Sequence, residues 1–314
     1  MSHFADRLND AVKQKGNAVC LGLDPRFDLL PAPLREDAIK RHGHTPAAVA
    51  EAFIAFNTAL LDALADLVPV CKPQVAFYEE FGSEGIRAFE ATVRHAKAKG
   101  YVVISDAKRG DIGSTAVAYA RAHLGGMNIT GGATVGFDAD ALTVNPYLGH
   151  DTLRPYLDIG VANGKGFFVL VKTSNPGSGD LQDLESGGKK IYEHVAEMVN
   201  ALGEKHVGRT GFHPVGAVVG ATYPEQLREL REKMPRAILL IPGYGAQGGT
   251  AADAAAGFHR DGLGAVVNSS RGIVFACKEQ PYAKDFGEAR FAEAARAAAE
   301  KMASDLNAAL KARR

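Results

Sequence analysis

Cysteine is scarce in this chain: Cys20, Cys71 and Cys277 are odd in number, far apart and mostly set in apolar runs. That pattern excludes a disulfide framework and points to buried thiols in a reducing compartment. Net charge is absent too, since Lys plus Arg and Asp plus Glu both number 36, and the only basic run is the final Lys311 to Arg314. No nucleic-acid partner is therefore expected. No uninterrupted apolar segment approaches membrane-spanning length, and the opening MSHFADRLNDAVKQKG reads as a short amphipathic helix rather than a signal peptide. The expectation is a cytoplasmic protein with no membrane partner. His42 and His44 lie in one long loop, His150 opens a helix, and no histidine has metal-ligand spacing to another His, Cys or carboxylate. The glycines form neither a Walker loop nor a dinucleotide fingerprint after the first strand, so neither a metal nor a cofactor is implied.

What is present is an ordinary globular composition, 46% hydrophobic and 23% charged over 314 residues, with no linker, repeat or low-complexity tract to divide it. A single domain over residues 1–314 is the expectation. Short apolar, partly β-branched runs recur at Ala18 to Leu23, Val68 to Val75, Tyr101 to Ser105, Ala141 to Val144, Gly166 to Val171, Val215 to Val219, Ala237 to Ile241 and Gly264 to Val267. Most are separated by enough chain for a crossover helix, which predicts parallel strands. Helix signals lie between them: Thr45 as a cap with Pro46 opening the run to Asp66, Ser83 before a pattern ending at Gly100, and Pro224 before Glu225 to Lys233. Eight such units in this length predict an α/β protein, a closed (β/α)8 TIM barrel with extra amino-terminal and carboxyl-terminal helices. A doubly wound open sheet is the competing arrangement. Two segments exceed normal barrel loops, Pro25 to His44 and Lys172 to Gly188, and both leave strand carboxyl ends, the face on which barrels build their sites.

Polar residues collect at those strand ends. The run DAKRGDIGST places Asp106 and Lys108 on one strand face, with Asp111 just past it. Taken alone, the run also suits a solvated strand-to-helix turn. Lys72 sits inside the apolar segment VPVCKPQV, where an ammonium needs a carboxylate, and Asp106 on the neighbouring strand is placed to supply one. A structural ion pair is the plain alternative. Asp24 follows the first strand, Asn145 ends the fourth and Ser174 lies just past the fifth. Gln247 sits in PGYGAQGG after the seventh strand, and Arg271 closes VNSSRG after the eighth. Glycines that let backbone amides approach an anion, a helix start near Thr250 and a guanidinium suggest a phosphate site. A flexible loop and a solvated arginine are the bland alternatives.

At this point the chain resembles the orotidine 5′-phosphate decarboxylase family, whose signature is an Asp-x-Lys-x-x-Asp run after the third barrel strand, here Asp106, Lys108 and Asp111. CLGLDP, KPQVAFYE, NPYLG, TSNPG, VVGAT and PGYGAQGG are similar to its longer bacterial branch, over most of residues 17–275. KRGD replaces the bulkier spacer of the shorter branch, and KPQ replaces its lysine-x-glycine, without changing the charged positions. The resemblance implies decarboxylation of orotidine 5′-monophosphate to UMP, the last step of de novo pyrimidine biosynthesis, without metal or cofactor. Lys108 would donate the proton, with Asp106 beside it and Lys72 bridging to the sugar. Asp111 and Thr115 would act in the partner subunit's site, which implies a homodimer with shared active sites. Asp24 would bind ribose hydroxyls, Ser174 the pyrimidine amide edge, Gln247 base and phosphate, and Arg271 the phosphate, with Asn145 a further binding residue. Two alternatives stay open. One is a magnesium-dependent sugar-phosphate decarboxylase or aldolase of the same suprafamily, from which Lys72 separates this chain because those relatives carry an acidic residue there. The other is a catalytically silent nucleotide-phosphate-binding barrel.

Overall fold

The computed structural model describes residues 2–129, 132–245 and 248–313. Eight parallel strands close on themselves: β1 Val19–Leu23, β2 Val70–Pro73, β3 Val102–Arg109, β4 Ala141–Val144, β5 Gly166–Lys172, β6 Val215–Val219, β7 Leu239–Ile241 and β8 Ala265–Ser269. Leu21 pairs with Cys71 of β2 on one side and with Ser269 of β8 on the other, which rules out the open sheet. Every residue of β1, β2, β4, β6, β7 and β8 is buried, as expected of strands covered by helices outside and side chains within. That double burial is why each strand reads as a near-continuous apolar run.

Thr45 caps the helix Pro46–Leu64 by accepting from the Ala48 N–H. This helix is long and apolar enough, by length and composition alone, to cross a membrane. Here Phe53, Phe56, Leu60, Leu61 and Leu64 are buried in the core, and Phe56 stacks between Phe275 and Phe291 at centroid distances of 5.6 and 5.2 Å. After a one-turn helix at Ala76–Glu79, the helix Gly82–Ala98 begins at Gly82, so Ser83 lies in its first turn instead of preceding it. The amino-terminal helix Phe4–Lys15 covers the amino-terminal ends of the strands, with Phe4 edge-on to Phe168 and Arg7 bonded at 2.9 Å to Asp140, just before β4. The final helix, the expected carboxyl-terminal addition, is Phe291–Ala312. An antiparallel pair, Gly126–Ile129 with Gly132–Val135, precedes β4 and has no counterpart in the strand reading above.

Two buried histidines make the fold acid-sensitive. Burial, with the Arg109 charge adding to it, pushes His123 down to about 3, while its Nδ1 lies 2.9 Å from the Ser105 hydroxyl. Burial also pushes His213 down to about 4. Both are neutral in the folded chain and take up a proton on unfolding, so their stabilisation is complete above the ordinary histidine value and is lost as pH falls below it. Each should cost about 2 kcal/mol of stability between pH 8 and pH 5. Thermal melting should therefore shift clearly downward over that interval, and an unchanged melting temperature would contradict the assignment.

Candidate active site

β3 is longer than its apolar segment. It continues through Asp106 and Lys108 to Arg109, whose partner is Val144, after a register shift that follows Ser105. Lys108 sits inside that irregularity with φ of +49°, a backbone region costly for a residue with a Cβ. Strain of this kind persists only where surrounding bonds impose it. Here the Lys108 N–H donates to Thr143 Oγ1 at 2.9 Å.

A cavity of about 560 Å3 opens at the carboxyl ends of the strands. Lys72, Asp106, Lys108, Asp24, Ser174 and Arg271 all line it, as do Thr173 and Asn175 from the second long loop. Asp106 is its electrostatic centre. Lys72 Nζ lies 2.6 Å from Asp106 Oδ2, and Lys108 Nζ lies 2.7 Å from Oδ1. Gln74 Nε2 donates to Oδ2 and Thr143 Oγ1 to Oδ1, both at 2.9 Å. Burial disfavours the Asp106 carboxylate, but the charges and hydrogen bonds of Lys72 and Lys108 outweigh it and hold the group well below the usual range. Burial likewise opposes the Lys72 ammonium, and Asp106 and Asp24 reverse that, raising it above the ordinary lysine value. The side chain of Lys72 is 6% exposed and that of Lys108 46%, so Lys108 is the ammonium with donor positions free to meet a ligand.

Around this centre, Asp24 Oδ1 and Asn268 Oδ1 are buried without partners among the described residues, which suits hydroxyl or amine donors on a ligand. Ser174 is held by a buried anchor: Lys172 Nζ bonds both Asp183 oxygens at 2.9 and 3.0 Å, while Gln182 bonds Thr173. At the other end the PGYGAQGG loop folds back, with Gly249 N–H donating to Gly243 O at 3.0 Å and Gly243, Gly245 and Gly248 at φ of +98°, +71° and +91°. Those three positions favour glycine. Gln247 lies outside the described residues. Arg271 lines the cavity and has no ion-pair partner among the described residues, leaving its guanidinium available for an anion. Thr250 does start a helix, Ala251–Ala255, but Asp253 closes a capping box with it and Thr250 does not line the cavity.

Three expected site residues are not brought to this cavity. Asn145 is exposed, and its Oδ1 accepts from the Tyr147 N–H at 3.0 Å in the turn that follows β4. Asp111 accepts from the Ile112 N–H at 2.8 Å, and Thr115 is exposed in the first turn of the helix Gly113–Leu124. Neither lines its own chain's cavity. Conversely, Gln74, Thr143, Asn268 and Lys172 were not singled out from sequence. Thr143 and Asn268 also stand inside apolar strands, but unlike Lys72 they carry no charge that demands a partner.

Fold and site together define a (β/α)8 barrel enzyme with a lysine–aspartate–lysine array in its cavity, a glycine-rich loop, and an arginine that has no ion-pair partner among the described residues. The Orotidine 5′-phosphate decarboxylase / HUMPS family model matches residues 18–286, and the chain belongs to that family. It is 48% identical over 306 residues to the orotidine 5′-phosphate decarboxylase of Rhodopirellula baltica, covering 98% of this chain and 99% of that one. To the Clostridium perfringens enzyme of the same name it is 40% identical over 292 residues, covering 93% and 95%. Among solved structures, the OMP decarboxylase of Leishmania donovani is similar with a TM-score of 0.72, 33% identity and 99% coverage of both chains. The UMP synthase of that organism gives a TM-score of 0.74 at 34% identity, covering 99% of this chain and 57% of that one.

Proposed function

We infer that this chain decarboxylates orotidine 5′-monophosphate to UMP, as a carboxy-lyase of pyrimidine biosynthesis. The observation that carries the reading is the Lys108 ammonium, fixed 2.7 Å from Asp106 and open to the cavity. Breaking the bond between C6 and its carboxylate releases carbon dioxide and leaves the electron pair on C6, a carbanion with no neighbouring electron sink. An ammonium already in place stabilises that pair and then transfers a proton to C6, giving UMP. Because the array is assembled before substrate arrives, little reorganisation is needed during the reaction. Arg271 and the glycine loop would take the 5′-phosphate, with Gln247 joining base to phosphate. Contacts to that non-reacting group convert binding energy into orientation. Asp24 would take ribose hydroxyls and Ser174 the base.

The matching family also spans sugar-phosphate enzymes. The site favours the orotidylate reading over a magnesium-dependent one, because both acidic residues of the cavity face ammonium groups and all four bonding positions of Asp106 are taken. Asp111 and Thr115 would complete the cavity of a second copy, making a homodimer with shared sites. Ile112, next to Asp111 in the chain, is 61% accessible and suits such an interface. The three buried free cysteines suit the reducing cytoplasm. Purified protein should consume orotidylate, followed by its absorbance loss, at the same rate with and without a strong chelator. Loss of turnover on chelation, or turnover of a ketose phosphate instead, would overturn the reading.

A further inference from the structure

We propose that Thr143 is a positioning residue for the reaction, fixing Lys108 and Asp106 relative to each other through its single hydroxyl. The inference rests on the decarboxylase reading above and goes beyond its charged residues. Thr143 lies on β4, is 1% exposed, and faces the third strand at its irregular step. Its hydroxyl has one proton and two lone pairs. The proton goes to Asp106 Oδ1 at 2.9 Å, and a lone pair receives the Lys108 N–H, also at 2.9 Å. One oxygen atom therefore ties the backbone of the proton donor to the carboxylate that its ammonium pairs with.

Both ends of this link need holding. Lys108 stands at φ of +49°, a conformation it would leave without an external bond to its N–H. Asp106 without Thr143 and Gln74 would keep two ammonium partners but lose the neutral donors that fix the plane of its carboxylate. With them, each oxygen receives one ammonium and one neutral donor, so the group cannot rotate without breaking several bonds at once. The Lys108 ammonium is then directed into the cavity from a fixed backbone and a fixed counter-ion. A proton donor displaced by a fraction of an ångström to 1 Å loses rate while substrate binding at the phosphate end is left alone.

The test is steady-state turnover of orotidylate with Thr143→Val, which keeps the shape and removes the hydroxyl. The expected result is a kcat lower by about 10- to 100-fold with KM and the Kd for UMP changed by less than about threefold. Thr143→Ser keeps the hydroxyl and loses only a methyl. It should hold kcat within about threefold of the parent even where its melting temperature falls as far as that of Thr143→Val. If the valine variant does not fold, Thr143→Ala against Thr143→Ser decides the matter by the same comparison. A valine variant with the parent's kcat, or a serine variant as slow as valine or alanine, overturns the positioning role. Absence of turnover in the unsubstituted protein is a separate result: it overturns the decarboxylase reading, and the role of Thr143 with it.

Discussion

Replacing Lys108 by alanine should lower kcat for orotidylate by at least about 10^4-fold, because one substitution removes both the charge that stabilises the C6 carbanion and the proton that quenches it. Binding of UMP should change only a few-fold. The phosphate contacts proposed for Arg271 and the glycine loop lie elsewhere in the cavity, and Lys72 still balances Asp106 after the substitution. Asp106 would retain Lys72, Gln74 and Thr143 as donors, so the carboxylate stays paired and the fold should survive. Lys72 is held above and Asp106 below their ordinary ranges, so this buried pair stays charged across the whole neutral range. A variant that keeps turnover within tenfold of the parent would remove Lys108 from the chemistry, and one that also fails to bind UMP would show that the substitution disturbed the cavity.

How much of this was legible beforehand depends on how local the cause was. All eight barrel strands were readable because burial on both faces leaves each one a continuous apolar run, and their ends fell within a few residues of the expected places. The Lys72–Asp106 pair was readable because a lysine in an apolar strand has few other ways to be stable. The step in β3 was not readable: it depends on a bond from Lys108 to Thr143, 35 positions away, and no local pattern announces it. Gln74 and Thr143 stayed hidden for the same reason, since one neutral polar residue on a strand is unremarkable until its partner is known. Lys172 was hidden by its position at a strand end, where a charge reads as solvated, although it is 1% exposed against Asp183 and two tyrosine rings. The bond from the Tyr147 N–H to Asn145, by contrast, has a local cause, since an asparagine before a Pro-Tyr pair can bond its own turn.

A heterodimer that combines Lys108→Ala on one chain with Asp111→Ala on the other should regain about half the activity of the parent dimer, although each variant alone is at least about 100-fold impaired. The argument follows from which of the two side chains reaches the cavity. Lys108 lines its own chain's cavity, whereas Asp111, three residues on, does not line it and accepts from the N–H of the exposed Ile112. If Asp111 serves the neighbouring cavity, the mixed dimer holds one site with both residues intact and one with both missing. If it serves its own, each site carries one defect and nothing is regained. Co-expression with two different affinity tags, sequential purification and an orotidylate assay separate these outcomes. Activity no higher than that of the single variants, in a heterodimer shown to be intact by its mass, would sink the shared site, and a parent protein that stays monomeric at assay concentration would do the same. Ile112, which follows Asp111, provides a control within this experiment. Ile112→Asp should weaken association and lower activity at low protein concentration, with recovery as concentration rises, because a charge buried in the interface opposes assembly without touching the lysine–aspartate–lysine array.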